Sequence, residues 1–275
     1  LSIIYHYSDL NGFTNIIKNK KLWLSATNNL NDYREVNWFV DKVYNRLKEL
    51  VNEKNQKLLN KFWQLKSINS PMPYVCSFSK NGDLLSQWRA YADDGYGIAI
   101  GFNREFFDFK VDIPSPNALS KYSIGMSDVI YDVDAQEKEI ENILSLILSS
   151  LKDQDNEDNY LISAVTVLNK LSYICKNDAF SEEDEVRIVH TPLITGDKEG
   201  LTYFMGNISD MQHRVSGQTL TSYFELDFSE TKDVSPISEI ILGPKCKVSQ
   251  YDMDTFLSMN GFGKVKYKFS TASYR

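Results

Sequence analysis

The chain has three cysteines, Cys76, Cys175 and Cys246, an odd number at wide intervals. No zinc-type pair and no disulfide framework follows from them, so the expectation is reduced thiols in a cytoplasmic setting. Basic charge is also in deficit: 30 Lys and Arg against 37 Asp and Glu give a net charge of −7. That balance argues against sequence-independent wrapping of a nucleic-acid backbone, although a local basic groove stays open. No apolar run approaches the ~18 residues of a membrane span, and "LSIIYHYSDL" has no basic region followed by a long apolar stretch. Membrane and secretory readings are therefore not expected. Internal repeats and low-complexity tracts are missing too.

The familiar catalytic signatures are equally absent. There is no G-x-G-x-x-G, P-loop or G-x-S-x-G. His6, His190 and His213 form no H-E-x-x-H or other ligand spacing, so no metal is expected.

What is present is a core-forming chain of 275 residues, 42% hydrophobic and 13% aromatic, enough for one large domain. Period-two runs predict strands at "SIIYHYS", "KLWLS", "PYVCSFS" (73–79), "YGIAIGF", "DVIYDV", "EVRIVH", "TSYFELDF", "ISEIILG" and "KVKYKFS". Period-3.6 stripes predict a helix over "LNGFTNIIKNK" and a long helix from "NLNDYREVNWF" to about residue 66. Asp32 and Glu35 read as the capping box of that long helix. A short helix over "DLLSQWRAYADDG" and a helical hairpin at about 135–178 complete an α+β pattern: one domain, 1–275, carrying the hairpin as an insertion.

Four stretches hold chemistry-bearing side chains. In "YHYS", strand alternation points His6 away from Tyr5 and Tyr7. In "CSFSKNGDLLSQWRAYADDG", Ser77 and Ser79 end a strand. Trp88 and Tyr91, three apart on the next helix, are either core anchors or a flat wall for a planar or cationic ring. In "SEEDEVRIVH", Glu183, Glu185 and Arg187 share one face if extended. They make either a solvated acidic turn with an Arg187–Glu185 pair or a carboxylate held at a pocket rim. Glu182 and Asp184 read as the solvated part of that turn.

The order of these pieces, "YHYS", "LWLS", "LNDYRE", "CSFS…W-x-x-Y…GIAIGF" and "F-x-x-E-x-E-x-R", resembles a family of uncharacterised bacterial proteins. That family in turn is similar to the ADP-ribosyltransferases, including the DNA-targeting toxins and the tRNA 2′-phosphotransferases. The resemblance implies a split β-sheet core with helical insertions and a cleft that holds NAD as substrate. It also implies NAD cleavage, with ADP-ribose passing to a nucleic-acid or protein acceptor or to water, in a toxin or antiviral defence role. On this carry-over His6 contacts the adenosine ribose and Trp88 or Tyr91 covers the nicotinamide. Ser77 or Ser79 forms the floor, Glu185 is the catalytic acid, and Glu183 is the first acid of an E-x-E pair. Arg187, Arg89 or Arg214 holds the diphosphate. Two alternatives stand beside this expectation: a non-catalytic module binding a nucleotide or partner, and an RNA-end-processing phosphotransferase.

Overall fold

A computed structural model describes residues 2–29, 33–50, 56–196, 199–200, 202–216 and 218–273. In chain order the elements are β1 (Ile3–Ser8), α1 (Leu10–Asn19), β2 (Lys21–Ala26), α2 (Tyr33–Leu50), α3 (Gln56–Ile68) and β3 (Tyr74–Ser79). Next come α4 (Leu85–Tyr91), β4 (Ile98–Asn103), α5 (Ser120–Ser123), β5 (Ile124–Asp128), α6 (Val133–Ser150) and α7 (Glu157–Ser172). The rest are β6 (Glu185–His190), β7 (Leu193–Gly196), β8 (Thr202–Met205), β9 (Gln212–Ser216), β10 (Thr219–Asp227), β11 (Ile237–Leu242), α8 (Gln250–Met259) and β12 (Lys266–Phe269). The fold is α+β.

Ten strands join in one mixed sheet, in the order β12-β11-β4-β1-β3-β2-β10-β9, with β6 and β5 extending from β3. The pairings are antiparallel except β11 with β12. Strand β3 is the branch point. One edge pairs with β6 along its whole length, from Tyr74↔His190 to Ser79↔Glu185. A strand has two edges, so β1 and β2 must share the other. They do so at opposite ends: Tyr5↔Ser79 for β1, and Ser25↔Val75 and Ala26↔Tyr74 for β2. Between these pairs, residues 76–78 carry no ladder partner on that edge, and the sheet forks.

Alternation along β3 and β6 sends side chains to two cores. Tyr74, Cys76, Phe78, Val186 and Ile188 join Ile4, Phe13 and Ile17 under α1 and α8, with Met253 and Leu257. On the other face Val75 and Val189 meet a helical layer: Phe39 and Val43 of α2, Leu59 and Phe62 of α3, Ile140 and Ile143 of α6, and Leu161 and Leu168 of α7. The hairpin α6–α7 is thus part of a four-helix cover on the sheet rather than an appendage. Among the described residues, no helix is long and apolar enough to cross a membrane.

One predicted element is corrected. The expected strand "DVIYDV" is not one, because Asp132 caps α6 by accepting from Ala135 N at 2.7 Å and draws Val133 onward into the helix. The strand lies upstream at β5, where Gly125 runs so close to other backbone that a Cβ would stand 2.4 Å from Val111 O. Of the long helix expected to about residue 66, Tyr33–Leu50 (α2) and Gln56–Ile68 (α3) are helical, and 51–55 lie outside the described residues. The capping-box reading of Asp32 and Glu35 lies outside the described residues and side chains.

Candidate functional site

The fork opens into a cavity of 570 Å³, a size that suits a nucleotide-scale ligand. Because residues 76–78 are unpaired at this edge, side chains from both faces of β3, Cys76 and Phe78 on one and Val75 and Ser77 on the other, reach the same space. β1 contributes Tyr5, His6, Tyr7 and Ser8; β2 contributes Lys21, Trp23 and Ser25. Gln87 and Tyr91 of α4, Lys176, Glu183, Glu185 and Arg214 complete the walls used below.

His6 sits in the fork itself. Its Nδ1 lies 3.0 Å from Ser77 O, which assigns the proton to Nδ1 and lets the ring stand in for a ladder bond β3 lacks there. Phe78 packs against the ring at 5.6 Å, and burial pushes the imidazole pKa down against the Ser77 bond that raises it. Cys76 Sγ is 3.8 Å from the same Nδ1. With that nitrogen committed to Ser77 O, His6 Nδ1 is no base for the thiol, and burial pushes the Cys76 thiol up to about 12. Burial and the committed His6 Nδ1 leave Cys76 a protonated thiol with no activating base at that nitrogen.

The acidic stretch divides as the turn geometry dictates. Glu182 and Asp184 are exposed, and Asp184 takes a left-handed conformation (φ 40°), which aspartate tolerates. That turn places Glu183 and Glu185 on the cavity wall. Glu185, only 6% exposed, accepts from Arg187 Nε at 2.6 Å and Nη2 at 3.0 Å, with Lys176 Nζ at 3.5 Å also donating. Burial alone would raise its pKa; the Arg187 charge and hydrogen bonds, with Lys176 and Ser77, hold it below the usual carboxylate value. Lys176 donates to Glu183 Oε2 at 2.6 Å. Burial works to deprotonate this lysine, but Glu185 and Glu183 outweigh it and keep its pKa high. The network is a fully charged, hydrogen-bonded set.

Of the expected site residues, the cavity brings together His6, Ser77, Tyr91, Glu183 and Glu185. Three expectations are corrected. Trp88 is 0% exposed, packed at 4.8 Å on Tyr7 with Nε1 donating to Asp83, so its indole anchors a core and offers no face to a ligand. Tyr91, 52% exposed, keeps the wall position. Ser79 is buried behind the wall, its hydroxyl donating to Glu183 O and accepting from Asn81 N. Arg187, 2% exposed, is spent on Glu185 and Tyr173 O, which removes it as a diphosphate holder. The acidic turn and the Arg187–Glu185 pair coexist with a carboxylate at the rim.

Lys176, Gln87 and the Lys21–Trp23–Ser25 face of β2 were not singled out in the sequence. The β2 face was open to reading, since alternation places those three on one side of "KLWLSA". Lys176 follows the end of α7 and carries no pattern. Arg89 is exposed and off the cavity wall, whereas Arg214 is on it.

A family model described as "Protein of unknown function (DUF2971)" matches residues 87–188, just over a third of the chain. The matched stretch begins at Gln87 on the cavity wall and takes in Tyr91, Lys176, Glu183 and Glu185, while His6, Ser77 and Arg214 lie outside it. No curated protein and no solved structure matches the chain.

Proposed function

We propose that the forked cleft is an ADP-ribosyltransferase-like site that binds NAD and cleaves its nicotinamide–ribose bond, with Glu185 as the catalytic acid. The observation that carries this reading is an ionised, nearly buried carboxylate opening β6 on the same cavity as the first-strand His6. Cleavage passes through an oxocarbenium-like ribose, as in glycoside hydrolysis. A carboxylate accepting from the ribose 2′-hydroxyl stabilises that cation as it forms. The C1′–N bond breaks with its electron pair going to the pyridine nitrogen, so nicotinamide departs neutral and needs no proton. Water or an acceptor group then bonds to C1′ and gives up its proton to solvent or to the Glu183 carboxylate on the adjacent wall. Tyr91 supplies an aromatic surface for the cationic nicotinamide before it leaves.

One observation favours a second reading. Three donors already hold the Glu185 carboxylate: Arg187 Nε and Nη2 and Lys176 Nζ. A ribose hydroxyl must take the acceptor site they leave or displace one of them, and a site that admits neither is a nucleotide-binding module without turnover.

Nicotinamide release from NAD by the purified protein, with and without cell extract as acceptor, separates the two. Release by the parent and its loss in Glu185→Gln supports the enzyme. Saturable NAD binding without release by the parent supports the module, and neither binding nor release rejects both.

A further inference from the structure

Three cations line the cavity: Lys21, Lys176 and Arg214. Lys176 is engaged by Glu183 and Glu185, and Lys21 by Glu225 Oε2 at 2.5 Å. Arg214 has no carboxylate within ion-pair distance among the described residues. It is nonetheless firmly held. Register places it opposite Thr221 on β10, whose Tyr223 pairs with Ser25 of β2. The side chain therefore crosses over β10 to donate from Nη2 to Ser25 Oγ at 3.1 Å. Its guanidinium lies 5.3 Å from the Trp23 ring centre, and Trp23 is backed by Tyr223 at 4.5 Å. Its Nε is enclosed and meets no acceptor among the described residues.

Stacking on an indole and one neutral hydroxyl orient a guanidinium without neutralising it. A buried donor left unpaired costs stability that an incoming acceptor returns. The charge also reaches the middle of the fork, where it bears on the Cys76 thiol and opposes the upward push of burial. In a chain of net charge −7, this is a positive centre held open inside an aromatic-lined cavity.

We infer that Arg214, set by Trp23 and Ser25, is an anion subsite for the phosphate groups of a nucleotide, on the β2–β9 side of the fork away from Glu185. Its planar fork of donors matches a phosphoryl group bidentately. The inference deepens the reading above and rests on it for the identity of the nucleotide. Of the three arginines the resemblance left open, it chooses Arg214, which faces the cavity, over Arg187, engaged by Glu185, and Arg89, off the wall.

The test uses the whole chain and inorganic pyrophosphate as probe, by titration calorimetry, with malonate as a dianion lacking phosphate. The expected result is pyrophosphate binding that weakens roughly ten- to hundredfold in Arg214→Gln, the effect of one charge-assisted hydrogen bond. Arg214→Lys should fall between. Equal binding by parent and Arg214→Gln, no binding by the parent, or malonate binding as tightly would each overturn it. Should Arg214→Gln fail to fold, the Arg214 Nε–H resonance of the parent, assigned through Arg214→Lys, must shift on pyrophosphate titration; an unmoved resonance overturns the inference. Pyrophosphate binding through Arg214 without nicotinamide release keeps the subsite and removes the NAD reading. Nicotinamide release with an unchanged KM in Arg214→Gln does the reverse.

Discussion

Glu185 and Arg187, two residues apart on one face of β6, make hydrogen bonds of 2.6 and 3.0 Å inside the cavity wall, so the carboxylate is held from the strand it belongs to. Removing one member leaves the other buried with too little compensation. Arg187→Met is expected to destabilise the fold by about 3–5 kcal/mol. The double variant Arg187→Met/Glu185→Gln should recover part of that loss. Urea unfolding of the four proteins in a double-mutant cycle measures the coupling; additive losses would dissolve the pair as a unit.

Stability should decline on acidification. His190 is enclosed by Tyr74 and Phe224, with Nδ1 bonded to Ser123 O and Nε2 meeting no partner. Burial brings its pKa down to about 4 although the Ser123 bond opposes it. Between pH 6.5 and 4 the unfolded chain binds a proton that the folded chain refuses, so stability falls as pH falls, by about 3 kcal/mol across that window. His6 adds to the same slope, since burial lowers it too. Glu185, held below the ordinary carboxylate value, contributes stability above that value and loses it as pH drops through its folded pKa. His190→Leu should lower stability at pH 7 yet reduce the change in urea midpoint between pH 7 and 4.5.

The two aromatics of α4 should respond in opposite ways. Trp88→Ala empties a fully buried site and is expected to cost about 3–5 kcal/mol in unfolding free energy. Tyr91→Ala removes a half-exposed ring and should change stability by no more than about 0.5 kcal/mol. Under the proposed function it weakens NAD binding. A stable Trp88→Ala, seen in thermal melts, would return that indole to the list of ligand contacts.

Asp83 ties the end of the chain to the cavity's α4. Its carboxylate accepts from Trp88 Nε1 at 2.8 Å, from Thr271 N at 2.7 Å and Thr271 Oγ1 at 2.8 Å, and from Ser270 Oγ. Asp83→Ala leaves several of these donors without their acceptor and is expected to cost about 1–3 kcal/mol. Hydrogen exchange should speed up in α4 and in 270–272 together. Faster exchange in one segment alone would show that Asp83 does not couple them.

The strands that carry the site were legible because each is a short β-prone run with buried apolar residues: "IIYHYS", "KLWLSA", "YVCSFS" and "EVRIVH" all stand where the sequence predicts them. The segments β7, β8 and β9 were missed for the opposite reason: their residues are largely exposed and carry no buried stripe. α8 was missed although Ser249 caps it by accepting from Asp252 N, a signal present in "VSQYDMD". Trp88 shows the limit of spacing arguments. Residues three apart share a helix face, but here Trp88 turns into the core and Tyr91 toward the opening, one turn of register apart. Arg187 was misplaced because sharing a strand face with Glu185 fixes its direction but not which of the two lies nearer the opening.

The fork has a mechanical consequence. β1 and β2 exchange no hydrogen bond with each other; in ladder terms the two wings of the sheet meet through the pairs Tyr5↔Ser79, Ser25↔Val75 and Ala26↔Tyr74. Spreading the wings therefore strains no rung between them, and it is opposed by the β6 ladder that braces β3, by the His6–Ser77 bond and by α1, which packs on both β1 and β2. Cys76 and Phe78 are anchored by packing in the core beneath them, which makes that core the spring that sets the width at which His6, Glu185 and Arg214 face one another.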